Sequence, residues 1–321
     1  MKTIKLGAIN FYNHPEHGDI GKLRLVWLIE CGYLNRYDIK FEFCDCLNEE
    51  CDIVFYSLWG KLDNLKNVKG NPKFVYWTDE NLCQGAEADK LIHSGDFCYK
   101  NPFDYYKNNN YSISFYDDSD DNLFFPMWMI FDYHDFLKYK RYDIKFEEKN
   151  KFASFIASNN SYYQSFFRNT FVEVLSKEYK QVDCMGSCLH NTDFYLPYDV
   201  SEAVKIHNPY KFNICFENSL SSGKLFYITE KMLNAYKYNT IPIYWGSCNS
   251  DIFFNKDTFI DATNKPIYEV IDEIKRVDSN KELYEYMINQ NPISSVYGNI
   301  DNLFDNFIYR LVCFIKKILN N

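Results

Sequence analysis

Apolar and polar positions divide the chain into two alternating halves. In the first, residues 3–11 read as a strand, and residues 22–31 carry an apolar stripe at helical spacing. Residues 38–45, 52–57 and 73–78 are further strands, rich in β-branched and aromatic side chains. Beyond Glu80 the pattern weakens, and the Asn-rich stretch 107–110 reads as loop. The charged, apolar-poor segment 138–151 is expected to be a linker. The second half predicts strands at 152–158, 181–186, 211–217 and 240–246, with helices at 162–179, 199–207 and 229–238. Strands 152–158, 211–217 and 240–246 are apolar on both faces, as parallel strands covered by helices are. Two such α/β halves predict two Rossmann-like domains facing a cleft, residues 1–148 and 149–321.

Composition narrows this picture. Of the 321 residues 46% are hydrophobic, enough for a sizeable core. Aromatics reach 19% but are spread along the whole chain, so they read as compositional bias rather than sugar-stacking surfaces. A net charge of −9 speaks against a nucleic-acid partner, which needs clustered cations, but not against one nucleotide. Residues 1–10 hold no long apolar core, so no export signal is read. Eleven cysteines are then expected as reduced thiols, and the protein as cytoplasmic. Cys44, Cys46 and Cys51 fit no common zinc spacing and read as small buried residues around a strand.

No run of about 18 apolar residues exists to span a membrane. Leu303, Phe307, Leu311, Phe314, Ile315 and Ile318 recur at helical spacing, with Arg310, Lys316 and Lys317 among them. Such a helix packs on the protein body or makes peripheral contact with a membrane. Asp118 and Asp120 form a D-x-D pattern that could chelate a metal, and a solvated loop is the simpler reading. His14 and His17 flank Glu16 in what reads as an exposed turn.

The chemistry concentrates in residues 211–247, KFNICFENSLSSGKLFYITEKMLNAYKYNTIPIYWGS, a strand, polar loop, helix and strand. Ligands of open α/β sheets bind at the carboxyl ends of strands, so Glu217, Asn218 and the following loop point at a crevice. Thr229 is placed to cap the helix, whose N-terminus with Lys231 suits a diphosphate. Glu230 is placed to accept from ribose or sugar hydroxyls. An ordinary helix with a Glu-Lys pair in its first turn explains this pattern equally well.

The strings F-E-N, Y-I-T-E-K and I-P-I-Y-W-G-S resemble the donor-binding motif of glycosyltransferase family 10, the α-1,3/1,4-fucosyltransferases. FASFIASN at 152–159, Arg168 in RNTF, and VDCMG at 182–186 resemble the preceding family segments, and FVYWTDEN at 74–81 resembles the segment of its catalytic carboxylate. The resemblance implies a GT-B fold and an inverting transfer of L-fucose from GDP-fucose to an oligosaccharide, at a GlcNAc hydroxyl in α-1,3 or α-1,4 linkage. It makes Glu80 the general base, with Asp79 as rival. Arg168 and Lys231 hold the diphosphate, while Asn218, Tyr227 and Glu230 line the nucleotide and fucose site. The resemblance places Glu230 either on ribose hydroxyls or near the developing positive charge. No metal ligand follows from it, though stimulation by a divalent cation such as manganese is compatible with a diphosphate donor. The loop 219–226 is longer than the family's usual span, and 115–127 matches only loosely. Another nucleotide sugar, or a binding protein without turnover, is the alternative.

Overall fold

The computed structural model describes residues 3–14, 18–37, 39–78, 111–126, 128–158, 162–197, 199–221 and 223–320. Two compact units emerge, Met1–Ile130 with Phe304–Asn321, and Phe131–Leu303. Each is built on its own parallel sheet.

The first unit carries β1 (Thr3–Ile9), β2 (Lys40–Phe43), β3 (Ile53–Tyr56), β4 (Lys73–Trp77), β5 (Ser112–Ser114) and β6 (Asn122–Phe124). They lie in the order β2-β1-β3-β4-β5-β6, every pairing parallel. Helix α1 (Ile20–Glu30) connects β1 to β2 and starts at Asp19, whose carboxylate accepts from the Lys22 N–H at 2.9 Å. All four residues of β3 are buried, as a strand covered on both faces requires. β4 ends on the buried Trp77 and Thr78. Glu80, its rival Asp79, and the expected loop 107–110 lie outside the described residues. Glu16 and His17 do too; His14 belongs to the short strand Asn13–His14, paired with Gly18–Asp19.

One expectation changes in this unit. Cys44 and Cys51 are joined by a disulfide rather than reduced. The turn after β2 brings their Cα atoms to 6.2 Å, within bridging range. Asp118 and Asp120 lie in an exposed loop, as expected, and there Asp118 pairs with Arg310 and Asp120 with Lys317 of the C-terminal helix (Ile300–Asn320), the latter at 3.2 Å. The apolar stripe of that helix is buried. Phe304 packs edge-on to Trp27 and Tyr33, and Phe307 against Phe124 and Phe125. Leu311, Ile315 and Ile318 have no exposed surface, so the stripe serves the protein's own core. No helix among the described residues is long and apolar enough to cross a membrane.

The second unit carries β7 (Lys151–Phe155), β8 (Val182–Cys184), β9 (Tyr210–Ser221), β10 (Ile241–Ser247) and β11 (Ile260–Asp261), in the parallel order β8-β7-β9-β10-β11. Its helices are α2 (Trp128–Tyr139), which begins at the boundary between the units, α3 (Tyr162–Glu178), α4 (Val200–His207), α5 (Lys231–Lys237), α6 (Ile267–Ser279) and α7 (Lys281–Asn289). Phe171 and Leu175 of α3, Phe212, Ile214 and Phe216 of β9, and Ile271 and Ile274 of α6 share one core.

Residues 138–151 belong to this packing rather than forming a free linker. The Arg141 N–H donates to Asn239 Oδ1 at 2.8 Å, and the Ile144 N–H to Asn289 Oδ1 at 2.9 Å. The buried Lys149 ammonium donates to two carbonyls, of Asn208 and Asn239. Charge alone therefore misreads this segment, because its polar groups are satisfied inside the unit.

Candidate functional site

β9 is the central strand of the second sheet and the longest. Its pairing with β10 shifts register between Phe216 and Ser221, which frees Glu217 and Asn218 from the regular ladder. Glu217 is fully buried, and its carboxylate is met by three donors. The Thr229 N–H donates at 2.8 Å, the Thr229 hydroxyl at 2.6 Å, and Lys231 Nζ stands 3.3 Å away. A buried carboxylate needs such partners, and burial raises its pKa despite Lys231.

This network explains why Thr229 does not cap α5. Its hydroxyl is committed to Glu217, and the helix starts two residues later at Lys231, after Glu230, with no side-chain cap. At seven residues α5 offers a weak macrodipole, so the full charge of Lys231 dominates its start. Burial alone would lower the Lys231 pKa, but Glu217 and Glu230 outweigh it and hold the ammonium charged. Glu230 lies 3.5 Å from the same ammonium. Burial raises its carboxyl, yet Lys231 outweighs this and keeps it below its ordinary value. Its side chain is about half exposed, at 48%.

Arg168 projects from α3 and is 2% exposed. Its Nη1 donates to Asn218 Oδ1 at 2.9 Å, and its guanidinium lies within electrostatic reach of Glu217, Tyr227 and Lys231. Burial lowers its pKa. Tyr227 is buried, and its N–H donates to Ser221 Oγ at 3.1 Å. Five of the six site residues expected from the sequence thus form one cluster around Glu217. Glu80 is the sixth and lies outside the described residues.

A pocket of about 540 Å³ opens beside this cluster, wholly within the second unit. Glu230, Lys231, Asn234 and Lys237 line it from α5, Gly186 and Ser187 from the turn after β8, and Asp132 from α2. Arg168, Asn218 and Tyr227 are not in its described lining.

Asp132 escaped sequence reasoning, and Gly246 and Gly186, quoted within motifs, were given no individual role. Asp132 is ion-paired with the buried Lys237, and burial pushes its carboxyl up to about 6 although Lys237 opposes the shift. Its signal was available: Asp132 and Asp135 sit three apart at the end of an apolar run, both within reach of Lys237. Gly246 is forced by contact, since a Cβ there would lie 2.5 Å from Glu217 Cγ. Gly186 is forced likewise, with a Cβ falling 2.4 Å from the Ala157 carbonyl oxygen. Among the described residues no cluster of three or more His, Cys, Asp or Glu stands ready to hold a metal ion.

Residues 146–290 match the model of the glycosyltransferase family 10 (fucosyltransferase) C-terminal domain. Over that stretch, less than half of the chain, the protein is similar to the family 10 glycosyltransferases. An alpha-(1,3)-fucosyltransferase of Helicobacter pylori is 35% identical over 175 residues, covering 54% of this chain and 34% of that protein. A GDP-fucose protein O-fucosyltransferase 3 of Xenopus laevis is 34% identical over 145 residues, covering 42% and 29%. The chain therefore spans about a third of the length of these curated relatives. A crystal structure of an alpha1,3-fucosyltransferase with GDP-fucose superimposes with a TM-score of 0.67 at 25% identity, covering 99% of this chain and 91% of that one. An alpha-glucosyltransferase solved with UDP-glucose and DNA is similar in fold alone, with a TM-score of 0.54 at 12% identity over 99% of both chains. The fold is thus the GT-B type, two Rossmann-like α/β units, and the stretch that matches the family 10 model lies in the second.

Proposed function

We propose that the protein is an inverting fucosyltransferase that moves L-fucose from GDP-fucose to an acceptor hydroxyl. The observation that carries this reading is the pairing of Lys231 with Glu230 in a pocket of nucleotide size, both residues within the stretch that matches the family 10 model. The names of its relatives, and a neighbour solved with GDP-fucose, support the choice of donor.

In this mechanism Glu80, or Asp79 beside it, takes the proton of the acceptor hydroxyl. The hydroxyl oxygen attacks the anomeric carbon from the face opposite the leaving group, and the bond to the diphosphate breaks with its electron pair going to GDP. Arg168 and Lys231 neutralise the charge that gathers on the diphosphate, Arg168 being held by Asn218. Tyr227 closes the site beside Arg168. Glu230, kept ionised by Lys231, accepts from ribose hydroxyls or steadies the oxocarbenium-like carbon. Residues 1–148 would take the acceptor and 149–321 the donor, although by compactness the last helix groups with the first unit.

An oligosaccharide with a GlcNAc hydroxyl is the proposed acceptor. The O-fucosyltransferase relatives give a specific reason to include a polypeptide hydroxyl as the second reading. The test is incubation of the protein with GDP-fucose, GDP-mannose and UDP-sugars, each with N-acetyllactosamine and with a Ser/Thr peptide, with and without manganese. A 146 Da gain on an acceptor only with GDP-fucose, the mass of about one deoxyhexose residue formed by condensation, and an α-anomeric signal by NMR are expected. Transfer of another sugar, or none, overturns the reading.

A further inference from the structure

Tyr195 lines the pocket together with Gly186, Leu196 and Pro197, yet 63% of its surface is exposed. An aromatic ring left that open is ordinarily loose. This one is held. Its face lies 3.9 Å from the His190 ring at an interplanar angle of 11°, a parallel stack. His190 is itself fixed, Nδ1 standing 3.1 Å from the carbonyl oxygen of Gly186. Gly186 in turn is pressed against the end of β7 so closely that no side chain fits there.

The loop between these residues is built to hold that arrangement. Leu196 N–H returns to the Met185 carbonyl at 3.0 Å, and Asn191 N–H to the Cys184 carbonyl at 3.2 Å. Leu189 sits in the left-handed region at φ 54°, a conformation that costs a branched residue energy and turns the chain into His190. A strained residue, a ring-on-ring support and an open outer face together describe a preorganised stacking platform.

We infer that Tyr195, backed by His190, is the platform on which the base of the nucleoside diphosphate stacks. The inference rests on the proposed donor reading and goes beyond it by naming the residue that grips the base. Its pocket neighbours Met185, Leu196 and Pro197 are apolar, which suits a flat base. The charges of the same pocket lie on Asp132 and α5, which suits the diphosphate at Lys231.

The experiment is calorimetric titration of the whole protein with GDP and with inorganic pyrophosphate, for the unsubstituted chain, Tyr195→Ala, Tyr195→Phe and His190→Ala. Tyr195→Ala is expected to weaken GDP binding by about 5- to 100-fold, the scale of one base–aromatic stack. Tyr195→Phe is expected to stay within about twofold, because the ring face is retained. His190→Ala should fall between them, having lost the support but not the ring. Pyrophosphate binding should be equal in all four, with unchanged circular dichroism. GDP affinity untouched in Tyr195→Ala, or an equal loss toward pyrophosphate, overturns the platform. Failure of the unsubstituted protein to bind GDP overturns instead the donor reading beneath it.

Discussion

Lys231 Nζ lies 3.3 Å from Glu217 Oε2, a carboxylate with no side-chain exposure. The lysine neutralises a buried anion, and in the proposed mechanism it has a second task, meeting a phosphate in the pocket. Lys231→Met is expected to weaken GDP binding by about 1.5–3 kcal/mol, the worth of a charge-assisted hydrogen bond. It is also expected to destabilise the fold by about 3 kcal/mol, because Glu217 keeps its charge or its burial but not its partner. The double variant Lys231→Met with Glu217→Gln separates the two tasks. Denaturant titration should show stability largely regained, while calorimetry shows GDP affinity still lost. Recovery of both would mean that Lys231 does not touch the nucleotide.

Gly246 illustrates how tightly the same carboxylate is enclosed. A Cβ at 246 would fall 2.5 Å from Glu217 Cγ and 2.6 Å from the Tyr244 hydroxyl, which accepts from the Ser247 N–H. Both neighbours are fully buried and cannot swing away. Gly246→Ala is therefore expected to cost about 1–3 kcal/mol, as overpacking does. The check is the shift in urea midpoint against the unsubstituted chain. An unchanged midpoint would show that the contact relaxes without cost.

These contacts mark the border of what the sequence discloses. β7, β9 and β10 were legible because strands buried on both faces write continuous apolar runs, and Asp199 was legible as the start of α4 because a cap is a local contact. Thr229 carries the same signal and fails as a cap, since Glu217, twelve positions upstream, takes its hydroxyl. The ion pairs of the exposed Asp118 and Asp120 were not legible, because their partners, Arg310 and Lys317, lie almost two hundred residues away. β5 and β6 are three residues each, too short to show a period. Asn218, Glu230 and Lys231 were read from the strand end and helix start, Arg168 and Tyr227 came from motif resemblance, and folding gathers all five. Glu217, which holds them together, was noted only as pointing at a crevice.

The proposed division between base and leaving group has a kinetic signature. Glu80→Ala is expected to lower kcat by at least about a hundredfold, the lower range of general base catalysis. GDP affinity should stay within about twofold, since a base for the acceptor does not hold the donor. Asp79→Ala is expected to leave kcat nearly unchanged. If the two variants exchange these outcomes, Asp79 is the base; if both retain wild-type rates, the base lies elsewhere.

Asp132 gives the pocket a distinctive pH response. Its carboxyl titrates at about 6 in the folded chain, above the ordinary 3.8, because burial outweighs the attraction of Lys237. A carboxyl raised on folding binds its proton more tightly in the folded state. Its contribution to stability is therefore full below about pH 3.8 and is lost as pH rises through about 6. Carboxylates held below their ordinary value, such as Asp278 beside Lys180 and Lys211, act in the opposite sense, so only a difference between variants isolates the effect. Asp132→Asn keeps an acceptor for Lys237 and removes the titration. Between pH 4 and 6.5 the unsubstituted protein is expected to lose about 2–3 kcal/mol relative to this variant. Urea unfolding at pH steps across that range reads the difference directly. Parallel stability curves would show that Asp132 stays charged beside Lys237 throughout, and that the pocket carries a permanent ion pair.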